Sequence, residues 1–197
     1  MNRSTRDRRA GYSVLEMLII VAIVGIMAAV IIPTTGANVV EQLESAASQV
    51  ASDVAYARNL AVTNGSSYRL TFDTSENEYV LQHVGTNTAL NTLPKSPLRL
   101  ASDPANQQTT LLSTLVPGGI AVRLHAVYAL STPATSVTTI EFGPLGETTR
   151  IEETIVWLAA GSGNAARYIS VRVNPVTGIG RVGQFGAQAP SVSTPTG

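Results

Sequence analysis

The chain of 197 residues contains no cysteine, and only 13% of its residues are charged. Without cysteine it has neither a disulfide framework nor a metal site built from thiolates. Acidic and basic residues balance to a formal net charge of +0, so the composition gives no global basic signal for nucleic acid. Apolar residues make up 44%, enough for a hydrophobic core, and the length fits one domain with an appendage. We expect no cofactor and no metal.

A long segment near the N-terminus also lacks charge. Glu16 is the only charged residue between Arg9 and Glu41, and no polar side chain occurs from 17 to 32. Four arginines lie among the first eleven residues. A charged residue at the centre of a membrane helix costs about 2.5 to 3.5 kcal/mol on insertion scales, and less near the helix ends. A carboxylate at the edge of an apolar run is therefore expected to have a function.

Three interpretations of this N-terminus remain open. A cleaved secretory signal is disfavoured, because the basic stretch ends at Gly11 before the apolar run begins and the run continues into a helical pattern. A signal anchor explains the arginines by the positive-inside rule but does not explain Glu16. Cleavage after Gly11 leaves Tyr12 as a new N-terminus, and its cationic amino group can pair with Glu16 of a neighbouring helix. We favour this third interpretation, with residues 17–38 crossing a membrane once.

The junction Gly11-Tyr12-Ser13-Val14-Leu15-Glu16, with the apolar run after it, resembles the leader of type IV prepilins and type II secretion pseudopilins. The resemblance implies that prepilin peptidase removes residues 1–11 and that Tyr12 becomes the N-methylated first residue. It also implies that Glu16 sets the register of filament assembly. Pro33 lies where many pilins have a helix-bending proline.

The partners and location follow from the same resemblance. They are prepilin peptidase, other pilins or pseudopilins in a filament, an inner-membrane assembly platform and secreted cargo. The chain would pass once through the inner membrane, with its N-terminus in the cytoplasm and its globular domain in the periplasm.

An amphipathic pattern follows the apolar run. Apolar residues recur at steps of three and four from Val40 to Ala61, which predicts a helix with one buried face. Asn64-Gly65 is a typical helix stop. We therefore expect a helix over residues 12–64 that bends near Gly25, Pro33 and Gly36. Four charged residues fall off the apolar stripe, namely Glu41, Glu44, Asp53 and Arg58.

Beyond Gly65 the period changes to two, which predicts a globular β domain over residues 65–185. The first hairpin pairs 67–73 with 78–84, and later strands are expected at 120–128, 137–142, 154–158, 168–173 and 180–185. Residues 85–108 read as a long loop with one short strand near 98–100. Residues 186–197 read as a disordered tail.

Two further segments narrow the resemblance. The helical segment 53–62, the strand after it and the segment 171–178 are similar to the H-type minor pseudopilins of type II secretion and their type IV pilus relatives, the GspH/FimT family. This resemblance implies an α+β fold, with a long N-terminal helix packed on two small antiparallel sheets. It implies a minor pseudopilin at the tip of a pseudopilus. A type IV pilus minor pilin, acting in assembly, adhesion or DNA uptake, is the first alternative.

No candidate active site emerges, although a membrane-anchored enzyme is a further alternative. His83 and His125 are far apart in sequence, and each is interpreted as a satisfied or exposed strand residue. Glu152 and Glu153 are adjacent, so in a strand their side chains point to opposite faces.

Three arginines could contact DNA or a protein partner. We expect Arg167, Arg172 and Arg181 to share one sheet face, which gives a modest phosphate footprint. Some pilus relatives bind DNA near a Gly-Arg-x-Arg pattern, but here the second arginine is replaced in Gly180-Arg181-Val182-Gly183. We favour a role in keeping an exposed sheet edge soluble.

Overall fold

A computed structural model describes residues 13–31, 38–96, 99–115 and 122–188. The predicted cleavage site at Gly11 and Tyr12, and the predicted bend at Pro33, lie outside the described residues. The chain divides into two compact units, Met1–Gly36 and Ala37–Gly197, and each is described by itself.

The first unit contains helix α1, Val14–Ile31. The Ser13 hydroxyl accepts a hydrogen bond from the Leu15 amide at 3.3 Å, and the Ser13 carbonyl accepts one from the Glu16 amide at 3.0 Å. Ser13 therefore caps the helix. Every side chain from 13 to 25 is exposed. Within the described ranges, no helix combines the length and the hydropathy needed to cross a membrane.

The second unit begins with helix α2, Asn38–Asn64. Its predicted stripe is confirmed, since all but Val40 of the positions assigned to it are fully buried. The helix stops where predicted: Gly65 has φ 55°, and the Ser66 amide donates to the Ala61 carbonyl at 3.1 Å. Asp53 falls off the apolar stripe, yet it is only 5% exposed, and its carboxylate has hydrogen-bond donors inside the domain.

In the described ranges, nine strands form two antiparallel sheets, as predicted for the fold class. The strands are β1 Tyr68–Asp73, β2 Glu78–His83, β3 Gln107–Leu111, β4 Val122–Ala129, β5 Thr135–Ser136, β6 Thr139–Phe142, β7 Thr154–Ala160, β8 Arg167–Val173 and β9 Gly180–Val182. The first sheet has the order β3-β2-β1-β6, and the second has the order β5-β4-β7-β8-β9. Short 3-10 helices lie at Thr88–Asn91, Leu112–Thr114 and Gly163–Ala165.

The alternation predicted for the first hairpin is confirmed. Tyr68, Leu70 and Phe72 of β1 are buried, and so are Tyr79 and the other inward residues of β2. Helix α2 packs on both sheets, and its apolar face joins inward residues of both in one core. Because one face of each sheet is covered, a shift of one residue in the strand pairing would turn the apolar side chains to solvent, and this fixes the register.

The strand expected near residues 98–100 was wrong. Arg99 and Leu100 belong to no strand, and the strand of this region is β3, farther along the chain. Its sequence Gln-Gln-Thr-Thr-Leu has no apolar alternation, although its three central residues are buried. A buried polar strand gives no periodic signal.

Asn77 joins the two sheets through its side chain. Its amide nitrogen donates to the Val122 carbonyl at 2.9 Å, and its amide oxygen accepts from the Leu124 amide at 2.6 Å. The residue has φ 58°, a left-handed conformation that asparagine tolerates better than most residues. A turn residue of the first sheet thus pairs with the edge of β4 as a neighbouring strand would.

At the other end of the domain, Gly186 exchanges two hydrogen bonds of 2.9 Å with the backbone of Tyr168. Paired structure therefore continues one residue beyond the predicted boundary at 185.

Candidate assembly surfaces

Glu16 lies in the first turn of α1 and is exposed. The apolar side chains around it, including Leu15, Met17 and Leu18, are more than half exposed. The geometry thus presents one carboxylate among exposed apolar side chains at the start of α1.

Arg172 and Arg181 are direct cross-strand neighbours on β8 and β9 and share a face, as predicted. Arg172 forms a bidentate ion pair with Glu153, with Nε–Oε1 at 3.1 Å and Nη2–Oε2 at 2.6 Å. Arg181 is exposed and forms no ion pair among the described residues. Both arginines line a cavity of about 200 Å³ together with Glu153, Asn174, Thr177 and Ile179. Arg181 therefore carries a positive charge that no carboxylate of the described residues neutralises.

The prediction that Arg167 shares this face was wrong. Arg167 and Arg172 are five residues apart on β8, whose pairing with β7 is regular, so their side chains leave opposite faces. Arg167 instead donates to the carbonyls of Asn164 and Ala166 at 3.0 and 2.9 Å. These two hydrogen bonds close the loop that precedes β8.

His83 is a satisfied structural residue, as interpreted from the sequence. It is 8% exposed, with Nε2 at 2.7 Å from the Ser66 hydroxyl and Nδ1 at 2.8 Å from the Asn91 side-chain oxygen. Its ring packs edge-on against Tyr68. All polar atoms of the ring are thus engaged in the fold.

His125 is exposed, which is the other outcome that the sequence analysis allowed for a strand histidine. It lies at the irregularity in the β4–β7 pairing and packs edge-on against Tyr168. Partial burial, and then the charge of Arg123, lower its pKa. The two histidines sit in different sheets, which separates them from any shared site.

Sequence reasoning missed a buried polar network below α2. The Asp53 carboxylate accepts hydrogen bonds from the Tyr79 hydroxyl at 2.6 Å, from the Gln49 amide at 3.0 Å and from the Thr110 hydroxyl at 3.4 Å. Burial raises the pKa of Asp53, and the three donors oppose that rise. Burial and the nearby carboxylate raise the pKa of Tyr79 well above its usual value. Tyr79 and Thr110 face inward from β2 and β3, so no sequence spacing pointed to them.

The described part of the chain holds no group of three His, Asp or Glu side chains placed to bind a metal ion. Among the described residues, the charged or apolar features exposed to solvent include the side chains of the first part of α1, the Arg172–Arg181 face and a set of aliphatic residues in the turns of the domain.

A long helix laid on two small antiparallel sheets, preceded by an apolar helix with a single carboxylate, defines a pilin-like structural subunit. The chain belongs to the family described as type II transport protein GspH, whose sequence profile matches residues 46–178, more than half of the chain. The matched region runs from α2 to the turn before β9. The family is one of structural pilins rather than enzymes, and its members assemble with other pilins in a filament.

Two solved structures are similar to this chain. The type IV minor pilin FimU of Pseudomonas aeruginosa strain PAO1, crystallised in space group P21, matches at 14% identity with a TM-score of 0.45, over 80% of this chain and 97% of that chain. The same pilin in space group P65 matches at 16% identity with a TM-score of 0.40, over 78% of this chain and 98% of that chain. No protein of curated function matches the sequence.

Proposed function

We propose that this protein is a minor pseudopilin of a type II secretion system. The observation that carries the proposal is the GspH match over residues 46–178, together with an apolar α1 whose single charge is Glu16. The chain is inserted once in the inner membrane through residues 17–38. Prepilin peptidase then trims it after Gly11, and an assembly platform builds it into a periplasmic pseudopilus near the tip. There the globular domain contacts other minor pseudopilins or cargo, in a role that is mechanical and not enzymatic.

The N-terminal mass of the protein, recovered from membranes of cells that carry prepilin peptidase, tests the proposal. We expect a chain that begins at N-methylated Tyr12. A bulky replacement such as Gly11→Leu is expected to leave the leader attached, because the leader pattern that this chain resembles has glycine immediately before the cut. A wild-type chain that begins at Met1, or one cut beyond Ile32, would remove the pilin-type leader from the proposal.

Secretion and pilus function are separated by deleting the gene. We expect deleted cells to lose release of exported proteins into the medium while surface pili and twitching stay normal. The opposite outcome, normal release with pili lost, would assign the chain to a type IV pilus.

The exposed Arg181, which has no ion pair among the described residues, favours one second candidate: a type IV pilus minor pilin that binds DNA. On this alternative, full-length protein in detergent binds DNA with an affinity that falls as salt rises. The joint change Arg172→Ala and Arg181→Ala abolishes that binding. Arg167→Ala, on the other face, is the matched control and leaves binding unchanged. Absence of salt-sensitive binding by the wild type excludes this candidate.

A further inference from the structure

The two sheets differ in the face that each turns away from the core. In the first sheet that face is polar. Arg69 of β1 forms an ion pair with Glu141 of β6 at 2.7 Å. The side-chain amide of Gln82 on β2 donates to the side-chain oxygen of Gln107 on β3 at 3.2 Å. Polar outward residues are usual for an antiparallel sheet that covers a core on one side, so this face has the composition expected in contact with water.

The outward face of the second sheet departs from that composition. Alternate residues of β7 belong to the core, so the residues between them face outward. With their cross-strand neighbours on β4 and β8, the outward residues include several apolar and aromatic ones, namely Ala126, Tyr128, Ile155, Trp157, Ala159 and Tyr168. Packing on α2 does not account for them, because α2 packs with the core residues on the other face of the sheet.

Trp157 lies at the centre of this outward face and is the single tryptophan of the chain. It is half-buried and packs against a small cluster of Ala159, Ala166 and Tyr168, which is separate from the main core. His125 packs edge-on against Tyr168, with ring centroids 5.1 Å apart. Trp157 and His125 are therefore supported from within the domain, and a preorganised surface loses little entropy when it binds.

Three arginines belong to the same face. Arg172 binds both carboxylate oxygens of Glu153, so these two charges neutralise each other. Arg123 of β4 and Arg181 of β9 are exposed and have no ion pair among the described residues. Glu152, which precedes β7, is half-buried and likewise has no ion pair there. The face therefore has a small excess of positive charge. We call this outward surface of β4, β7, β8 and β9, from Arg123 to Arg181, the tryptophan face.

Arg123 and Arg181 lie at opposite corners of the tryptophan face. Arg123 pairs with Ala159, so it is one strand and two residues from Trp157. Arg181 is two strands and two residues from Trp157 in the other direction. Strand spacing and rise place them about 8 and about 12 Å from Trp157 and about 20 Å from each other. That separation is within the width of the patch of about 800 Å² that each partner covers in a standard protein interface.

The composition of the tryptophan face favours a protein partner over nucleic acid. The residues that dominate binding in protein interfaces are enriched in tryptophan, tyrosine and arginine, with aromatic groups at the centre and polar groups at the rim. Nucleic acid is held mainly by phosphate contacts, about six to ten in a tight site. Here two guanidiniums are free of ion pairs among the described residues, and Glu153 on the same face repels phosphate.

The charges of the tryptophan face disfavour a second copy of this chain as the partner. Among the described residues, the carboxylates at the face are Glu153, bound through both oxygens to Arg172, and the half-buried Glu152. A two-fold contact through this face would therefore leave Arg123 and Arg181 opposite each other or opposite neutral residues. A partner of different sequence, with exposed carboxylates around an apolar centre, is complementary to the face.

We infer that the tryptophan face binds an acidic surface of a different subunit of the filament, with Trp157 at the centre and partner carboxylates at Arg123 and Arg181. The inference rests on the proposed function, which supplies the neighbouring subunits, and it names the part of the globular domain that meets one of them. A contact with an unlike subunit also agrees with a minor component of the filament, which is surrounded by other proteins.

Fluorine NMR of the full-length chain in detergent tests the inference. Because Trp157 is the single tryptophan, labelling with fluorotryptophan gives one resonance that reports on this face. The probes are the other minor pseudopilins of the same cells, each purified unlabelled and added in turn. We expect one of them to shift the resonance, with an affinity that falls several-fold between about 0.05 and 0.5 M salt.

Variants of the face identify the contact. Arg123→Glu and Arg181→Glu are each expected to weaken binding several-fold, and the joint change about tenfold. Lysine replacements of exposed carboxylates on the bound partner are expected to restore binding to the joint variant. Lys95→Glu, at an exposed cation between β2 and β3, is the matched control and is expected to bind like the wild type. Trp157→Ala, measured by pull-down after circular dichroism confirms its fold, is expected to weaken binding by about tenfold.

Several outcomes would overturn the inference. They are the absence of a shift with every minor pseudopilin, binding that the joint arginine variant leaves unchanged, a shift produced only by raising the concentration of this chain, and a shift produced only by a thymidine oligonucleotide. The N-terminal mass and the effect of gene deletion report separately on the proposed function, so failure of the inference and failure of the proposed function are distinguishable.

Discussion

Helices α1 and α2 each carry a carboxylate on an otherwise apolar surface, and the two carboxylates differ in burial. In α2, Asp53 is buried and takes three hydrogen-bond donors from its own domain. In α1, Glu16 is exposed among exposed apolar side chains. The first charge is satisfied by folding, whereas the second has no ion pair among the described residues. Exposure thus separates a residue that serves the fold from one that we propose serves assembly.

The largest test of this comparison removes packing from each helix. Leu43→Ala in α2 is expected to lower the free energy of unfolding of the domain by about 2 to 5 kcal/mol, because it leaves a cavity under fully buried atoms. Leu18→Ala in α1 is expected to change it by less than about 0.5 kcal/mol, since that side chain is exposed. Denaturant unfolding of the full chain in detergent, followed by circular dichroism, measures both. Equal losses would place α1 inside the same cooperative unit.

The second test removes the exposed carboxylate. Glu16→Ala is expected to leave unfolding and cleavage after Gly11 unchanged but to reduce incorporation into filaments by about tenfold, the effect of losing one charge pair that is buried on assembly. Sheared filament fractions, quantified by immunoblot, give the result. Glu44→Ala, an exposed carboxylate of α2, is the matched control and is expected to incorporate normally. Normal incorporation of the Glu16→Ala chain would end the register hypothesis.

The third test concerns the buried carboxylate. Because the folded pKa of Asp53 is raised, its contribution to stability is complete below the unfolded pKa and is lost as pH rises through the folded pKa. Asp53→Asn is expected to remove most of the loss of stability that the wild type shows as pH rises above about 4, since the Gln49 amide can turn to accept from the new amide group. Thermal unfolding across this range, compared with Glu44→Gln, provides the measurement. A wild type that becomes more stable with rising pH through this group would contradict the assignment.

The smallest test changes one glycine in each helix region. Gly65→Ala is expected to destabilise the domain by about 1 kcal/mol, because alanine is strained at the φ of 55° that ends α2. Gly25→Ala, in the middle of α1 with open space around it, is expected to leave the unfolding of the domain unchanged. Thermal unfolding of the two variants against wild type resolves the difference.

The sequence predicted the parts of the fold in which burial follows a period. The stripe of α2 and the alternation of β1 and β2 were visible because each element covers one face with apolar side chains. Strand β3 was missed, since Gln108 and Thr110 are polar residues buried at a sheet edge. The hydrogen-bond network of Asp53 was also missed, because its partners Tyr79 and Thr110 come from strands distant in sequence.

The candidate surfaces were predicted less completely. Glu16 stood out because a charge in an apolar run is rare, whereas Leu145 and Val176 lie in turns, where no period marks an exposed aliphatic residue. Arg167 was expected on the wrong face. It lies five residues from Arg172 on β8, and side chains an odd number of residues apart on a regular strand point to opposite faces.

Asn77 has a consequence for how safely the domain survives on its own before it joins a filament. An unpaired strand edge is a template on which another chain can add, and this is a common start of aggregation. By bonding to the carbonyl of Val122 and the amide of Leu124, a single side chain occupies that part of the edge of β4. The subunit therefore blocks this route to aggregation with one amide group instead of an additional strand.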